Sequence, residues 1–211
     1  APDGAGWALA DSPRAAQRLG QEAARFAEQH PDLPSPLVLA GEIEALPALI
    51  EAQGQGPVRF DRVLARGALG RRADKAGRVA ALAALVLPGG RLVIAEPVPA
   101  RSERVLAGLD WSGLEPALAE RAVAAEEAIY ADPEDPMVNW DETHLIAWCE
   151  AAGLRPVKRE LLRRRVSVAL GPEEIARWFE ELPAGRAPAA AQPGGKLGRA
   201  LARHLGDEAA A

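Results

Sequence analysis

The stretch "LVLPGGRLVIAEPVP", residues 85–99, decides the fold class. An apolar helix end, a Pro-Gly-Gly turn at 88–90 and a short apolar strand run into Glu96 and then a loop. Proline and glycine stop a helix and turn the chain. What kind of sheet receives this strand follows from the elements before it.

Upstream, "GWALADSP" (6–13) reads as a short apolar strand ending in Asp11, followed by a Ser-Pro helix start. The helix over 13–29 places Ala16, Leu19, Ala23 and Phe26 on one face. After the loop "HPDLPSP", "LVLA" (37–40) is a second strand ending at Gly41-Glu42. A helix over 43–53, the break "QGQGP" and a third strand, "VRFDRVLA" (58–65), follow. The helix over 74–87 is stopped by Pro88-Gly89-Gly90, and "RLVIAE" (91–96) is the fourth strand. Short strands alternating with helices define an α/β fold, with a mostly parallel sheet and crossover connections.

Beyond Glu96 the pattern changes. Residues 100–129 read as helical, and 130–143 as an irregular acidic loop carrying Tyr130 and Trp140. Residues 140–153 form a helix capped by Asp141 and closed by Gly153. Residues 154–170 read as extended, 171–182 as a helix, and 183–195 as a Pro/Ala/Gly connector before a last short helix near 196–205. The domain expectation is therefore an α/β domain over 1–182, with the connector and short helix over 183–211. Trp148 and Trp178 are expected in the core, and Trp140 nearer the surface.

Composition narrows the function. The 211 residues are 48% hydrophobic, enough for a sizeable core. A net charge of -5 argues against general affinity for nucleic acid or anionic membrane. No run approaches the roughly 18 apolar residues of a membrane span, and no signal-peptide pattern opens the chain. The lone Cys149 excludes an internal disulfide and fits a reducing, cytoplasmic location. At helical spacing with Leu145 and Ile146, it reads as a small buried hydrophobe rather than a nucleophile.

Ligands of open parallel sheets bind beyond the carboxyl ends of the strands. Those ends are Asp11, Gly41-Glu42, Arg66-Gly67 and Glu96. An acidic residue there can accept two hydrogen bonds from ribose hydroxyls. Asp11 has a second reading, as the cap of the helix from Pro13. The basic run Arg155, Lys158, Arg159 and Arg163 to Arg165 is either a phosphate-contacting edge or the solvated side of an edge strand. The acidic balance of the chain favours the latter. His30 and His204 have no neighbours resembling a metal site, so no metal is expected. His144, near Trp140 and Trp148, is a packed helix residue or a proton shuttle.

In order, "WALADSPRAAQRLGQEA", "LVLAGEIEALP", "FDRVLARGALG" and "LAALVLPGGRLVIAEP" resemble the second half of the class I S-adenosylmethionine-dependent methyltransferases. The resemblance covers about residues 5–99 and extends loosely to about 182. It implies a Rossmann-like sheet with helices on both faces. In it, Asp11 matches the residue holding the cofactor ribose. Gly41-Glu42 matches the Gly-Asp pair facing the adenine amino group, with Glu a longer reach than Asp. Asp61 matches the family's strand aspartate, and Arg66-Gly67 falls in the loop lining the methionine side.

The family's first strand and G-x-G-x-G loop have no counterpart, since only "APDGA" precedes "GWALAD". A family chain also usually ends in an antiparallel strand, and none is read after 182. The expectation is therefore a piece of a longer polypeptide lacking its central first strand. The sheet should leave a gap between the strand of Asp11 and that of Phe60, and this chain should bind S-adenosylmethionine weakly. The region also resembles the C-terminal extension of some bacterial replication-associated recombination ATPases of the AAA+ class, although no ATPase motif is present.

Methyl transfer from a sulfonium needs positioning and desolvation more than an acid or base. The resemblance therefore names no certain catalytic residue. Glu96 is the candidate for orienting a nucleophile, and Tyr130, Trp140 and His144 for a lid over a small-molecule acceptor. The alternative is a methyltransferase-like module without turnover, serving interaction or regulation in a larger protein. A nucleotide-binding oxidoreductase ranks third, because the fourth strand has no natural role there.

Overall fold

The computed structural model describes residues 6–54, 59–70, 72–113, 115–163 and 171. Among them, strands and α-helices alternate as the sequence indicates: β1 (Trp7–Ala10), α1 (Pro13–Gln29), β2 (Leu37–Ala40), α2 (Leu46–Glu51), β3 (Phe60–Arg66), α3 (Lys75–Ala84), β4 (Val86–Ala95), α4 (Pro116–Tyr130) and α5 (Glu142–Ala151). The chain divides into two compact units. One comprises Ala1–Leu69, Asp74–Ala95 and Trp148–Arg155; the other comprises Gly70–Ala73, Glu96–Ala147 and Pro156–Ala211.

All four of these strands lie in the first unit, as two parallel pairs. β1 pairs with β2 in register from Trp7↔Leu37 to Ala10↔Ala40, and β3 pairs with β4 from Phe60↔Val86 to Arg66↔Ala95. The parallel pairing is as expected, but the four strands form two sheets rather than one: among the described residues no ladder joins β1 to β3. Both pairs nevertheless lean on one core. Ile43, Leu46, Ile50, Ala65, Leu82 and Leu85 are buried together. Trp7 and Leu9 of β1, Leu39 of β2, Phe60 and Val63 of β3, and Leu92 and Ile94 of β4 pack against them. Full burial of each large aliphatic side chain contributes about 1.5–3 kcal/mol.

The Pro-Gly-Gly stretch behaves differently from its sequence reading. α3 ends at Ala84, and the strand begins at Val86, before the turn rather than after it. The Phe60 amide donates to Leu85 O at 2.8 Å, which draws the helix end directly into the ladder. Residues 87–90 then bulge between the Phe60↔Val86 and Arg62↔Arg91 pairs. Only glycine fits at position 90, where a Cβ would meet Asp61 O and Leu87 O at 2.9 Å and Val86 Cγ1 at 2.8 Å.

In the second unit, the helical reading of 100–129 holds only from Pro116, which sits in the first turn of α4. Before it run two short 3₁₀ turns, Pro99–Arg101 and Leu106–Gly108, and an Asp110 turn whose carboxylate accepts from Ser112 N at 3.0 Å. The Leu106 turn is pinned by Glu126 of α4. This residue is 2% exposed, and its carboxylate accepts from Val105 N and Leu106 N, each at 2.8 Å. Residues 154–163 are not assigned to a strand, and 164–170, the rest of the stretch read as extended, lie outside the described residues. The connector and the helices expected over 171–182 and 196–205, with Trp178, lie outside the described residues apart from Gly171. No helix among the described residues is long and apolar enough to cross a membrane.

Candidate functional site

Because β1 and β2 are parallel and in register through Ala10↔Ala40, their carboxyl ends lie side by side. The Gly41 amide extends the ladder, donating to Ala10 O at 2.9 Å. Asp11 and Gly41-Glu42 therefore emerge from neighbouring strands, spaced about 4.8 Å apart. A Cβ on Gly41 would lie 2.9 Å from Leu49 Cδ1, the end of a flexible side chain of α2.

The competing role for Asp11 falls to its neighbour. Ser12 is the N-cap of α1, its hydroxyl accepting from Ala15 N at 3.3 Å, and Pro13 occupies the first turn. Asp11 is exposed, and among the described residues no hydrogen bond occupies its carboxylate. A charged side chain at a strand end, unused for capping, is free to serve a ligand.

Glu42 is placed differently. Its Oε2 accepts from Arg78 Nη1 at 2.8 Å, and the same guanidinium reaches Glu44 Oε2 at 3.3 Å. The Arg78 side chain is 8% exposed, against 47% for Glu42. α3 thus holds the Glu42 carboxylate from one side while leaving much of it open to solvent. Nothing in the local sequence announces Arg78, which lies 36 residues from its partner. Its one advance sign is a cation one turn into a helix that follows a strand end.

Arg66 ends β3 and is exposed, and Gly67 takes a left-handed φ of 62° while its amide continues the ladder to Ala95 O at 3.0 Å. Glu96 follows the last residue of β4 and is half-buried. An open groove of about 760 Å³ in the first unit is lined by Ile43, Glu44, Pro47, Arg59, Ala81 and Leu87 among others, and neither Asp11 nor Glu42 lines it. Asp11 and Glu42 are both exposed at the carboxyl ends of their strands.

The three residues expected in a lid have separate tasks. Tyr130 closes α4 beneath the Arg104 guanidinium, 3.7 Å from its ring centre, and Arg104 also pairs with Glu127 at 2.9 Å. Burial pushes the Tyr130 hydroxyl above its usual range, and the Glu126 charge adds to the effect. Trp140, expected near the surface, is 2% exposed, whereas Trp148, expected in the core, is half-buried. The acidic residues before Trp140 explain the reversal. Asp132 accepts from Glu134 N and Asp135 from Met137 N, both at 2.9 Å, so the carboxylates close local turns and Val138 and Trp140 turn inward.

His144 is exposed and belongs to the cap of α5. Its Nδ1 lies 2.8 Å from Asp141 Oδ1, which also accepts from Thr143 N at 2.9 Å. Hydrogen bonds from the Thr143 hydroxyl and from His144 hold the Asp141 carboxyl well below the usual carboxylate range. Burial, with the Glu150 charge, pushes the Cys149 thiol up, which fits a packing residue better than a nucleophile.

Compared with known proteins, the chain matches no family model, no curated protein and no solved structure.

Proposed function

We infer that this chain is a class I methyltransferase-type domain that binds S-adenosylmethionine at the carboxyl edge of β1 and β2, with a small molecule as methyl acceptor. One observation carries the reading: Asp11 and Glu42 stand at adjacent ends of registered parallel strands, and Ser12 has relieved Asp11 of capping. In this reading Asp11 accepts from the two ribose hydroxyls, and Glu42, steadied by Arg78, accepts from the adenine amino group. Two parallel pairs on one core, with no ladder between β1 and β3 among the described residues, are compatible with a Rossmann-like sheet whose central strand would run between them. Glu96 remains the candidate for orienting the nucleophile. A cytoplasmic setting accompanies this reading.

A second reading, a methyltransferase-like module without turnover, draws on the ion pair that already engages Glu42 and on the burial of Trp140 away from any lid. Isothermal titration with S-adenosylmethionine separates the two. The methyltransferase reading expects weak binding that Asp11→Ala weakens by a further ~1.5–3 kcal/mol, the loss expected for charge-assisted hydrogen bonds. Binding unchanged by Asp11→Ala, or no binding at saturating ligand, leaves the module reading.

A further inference from the structure

The β3–β4 pair has a second face whose chemistry differs from the first. Val63 and Ala65 of β3, with Leu92 and Ile94 of β4, turn to the core. Alternation and register place Arg62 beside Arg91, Leu64 beside Val93 and Arg66 beside Ala95 on the opposite face. Leu64 is 74% exposed and Val93 53%. Both properties are unusual. Strands of a parallel pair ordinarily have both faces covered, and like charges directly opposite on neighbouring strands are destabilising. Among the described residues no ion pair engages Arg62, Arg66 or Arg91.

An apolar pair bracketed by three arginines calls for a ligand that is both apolar and anionic. A second copy of this face would set arginine against arginine. A nucleic acid would satisfy the cations but gain nothing from Leu64 and Val93 at the centre, and the chain's net charge of -5 opposes it. We propose that the outer face of β3–β4 docks an acidic amphipathic helix of a partner protein. Its apolar stripe seats on Leu64 and Val93. Carboxylates at one end of the stripe pair with Arg62 and Arg91, and those at the other end pair with Arg66. The four-residue step from Arg62 to Arg66 spans about 13 Å of strand, which corresponds to about nine residues of helix. Neither Asp11 nor Glu42 belongs to this face, and of its residues only Arg66, at the end of β3, adjoins the loop that the methyltransferase reading gives to the cofactor.

The test uses the full chain and two synthetic stapled helical peptides. One carries a leucine stripe with glutamates flanking it at both ends, and the other has lysines in place of the glutamates. Fluorescence anisotropy should show saturable binding of the glutamate peptide alone. Leu64→Asp and the double variant Arg62→Glu/Arg91→Glu should each weaken that binding by about tenfold or more, and the double variant should bind the lysine peptide instead. Folding is checked with the single variant Arg91→Glu. It replaces a repulsive cross-strand pair with an attractive one, so its Tm should equal or exceed that of the parent. Four results would each overturn the proposal: no saturable binding of the glutamate peptide, equal binding by all variants, displacement of the peptide by a single-stranded oligonucleotide, or concentration-dependent dimerisation that Leu64→Asp abolishes.

Discussion

The β1–β2 and β3–β4 pairs share a parallel ladder and a core, yet they differ on every surface that the core does not use. β1–β2 is short, four residues to a strand, and α1 packs on both of its strands. β3–β4 is longer, at seven and ten residues, and carries Leu64, Val93 and three arginines outward. Asp11 and Glu42 follow the strands of the first pair, whereas Arg66 and Glu96 stand at the ends of the second, which also carries Arg62 and Arg91 outward. Inner faces made of Leu9, Leu39, Val63, Leu92 and Ile94 account for the shared core, and the residues outside it divide the labour.

The largest effect should come from the element both pairs share. Ile50 is 1% exposed within the common core, and Ile50→Ala should cost about 2–5 kcal/mol. If one core supports both pairs, this substitution should accelerate native-state hydrogen exchange in both together, at the amides of Leu9 and Leu39 and at those of Val63 and Leu92. Loss of protection in β1–β2 alone would show that the pairs are independently stable.

A smaller effect separates stability from binding at the end of β1. Ser12→Ala removes the N-cap of α1 and should cost about 1 kcal/mol in urea unfolding. Asp11→Ala should leave stability nearly unchanged, since Ser12 does the capping. Equal destabilisation by both substitutions would return Asp11 to a capping role and remove its availability for a ligand.

The smallest effect lies outside both pairs and serves as their control. Asp141 caps α5, and its carboxyl is held below the ordinary range by Thr143 and His144. A depressed folded-state pKa stabilises above the unfolded value, and that contribution is lost as pH falls through the folded one. α5 should therefore keep its cap across neutral and mildly acidic pH and lose it only below the usual carboxylate range. Asp141→Ala should remove about 1 kcal/mol at neutral pH and abolish this acid dependence at the amides of Thr143 and His144, followed by NMR, while leaving β1–β2 and β3–β4 unaffected.

Much of the fold was legible in the sequence because its signals are local. Apolar runs bounded by Gly and Pro located the four strands, and Asp141 and Gly153 marked the ends of α5. What escaped depended on distant partners. Pro88-Gly89-Gly90 reads locally as a stop before a strand, but Phe60 recruits Val86 into the ladder ahead of it. Arg78 is an ordinary helix cation until Glu42 folds against it. Trp140 follows Asp132, Glu134 and Asp135, which suggests exposure, yet both aspartates use their charge to close turns. The break between the two pairs has no local signal at all.

The carboxylate edge of β1–β2 is tested most directly by an amide-resolved NMR titration with S-adenosylhomocysteine, the demethylated cofactor. Chemical-shift changes should cluster at Asp11, Gly41 and Glu42, leave Leu64 and Val93 unmoved, and vanish in Asp11→Ala. Shifts absent at saturating ligand, or centred on β3–β4 and indifferent to Asp11→Ala, would contradict the account.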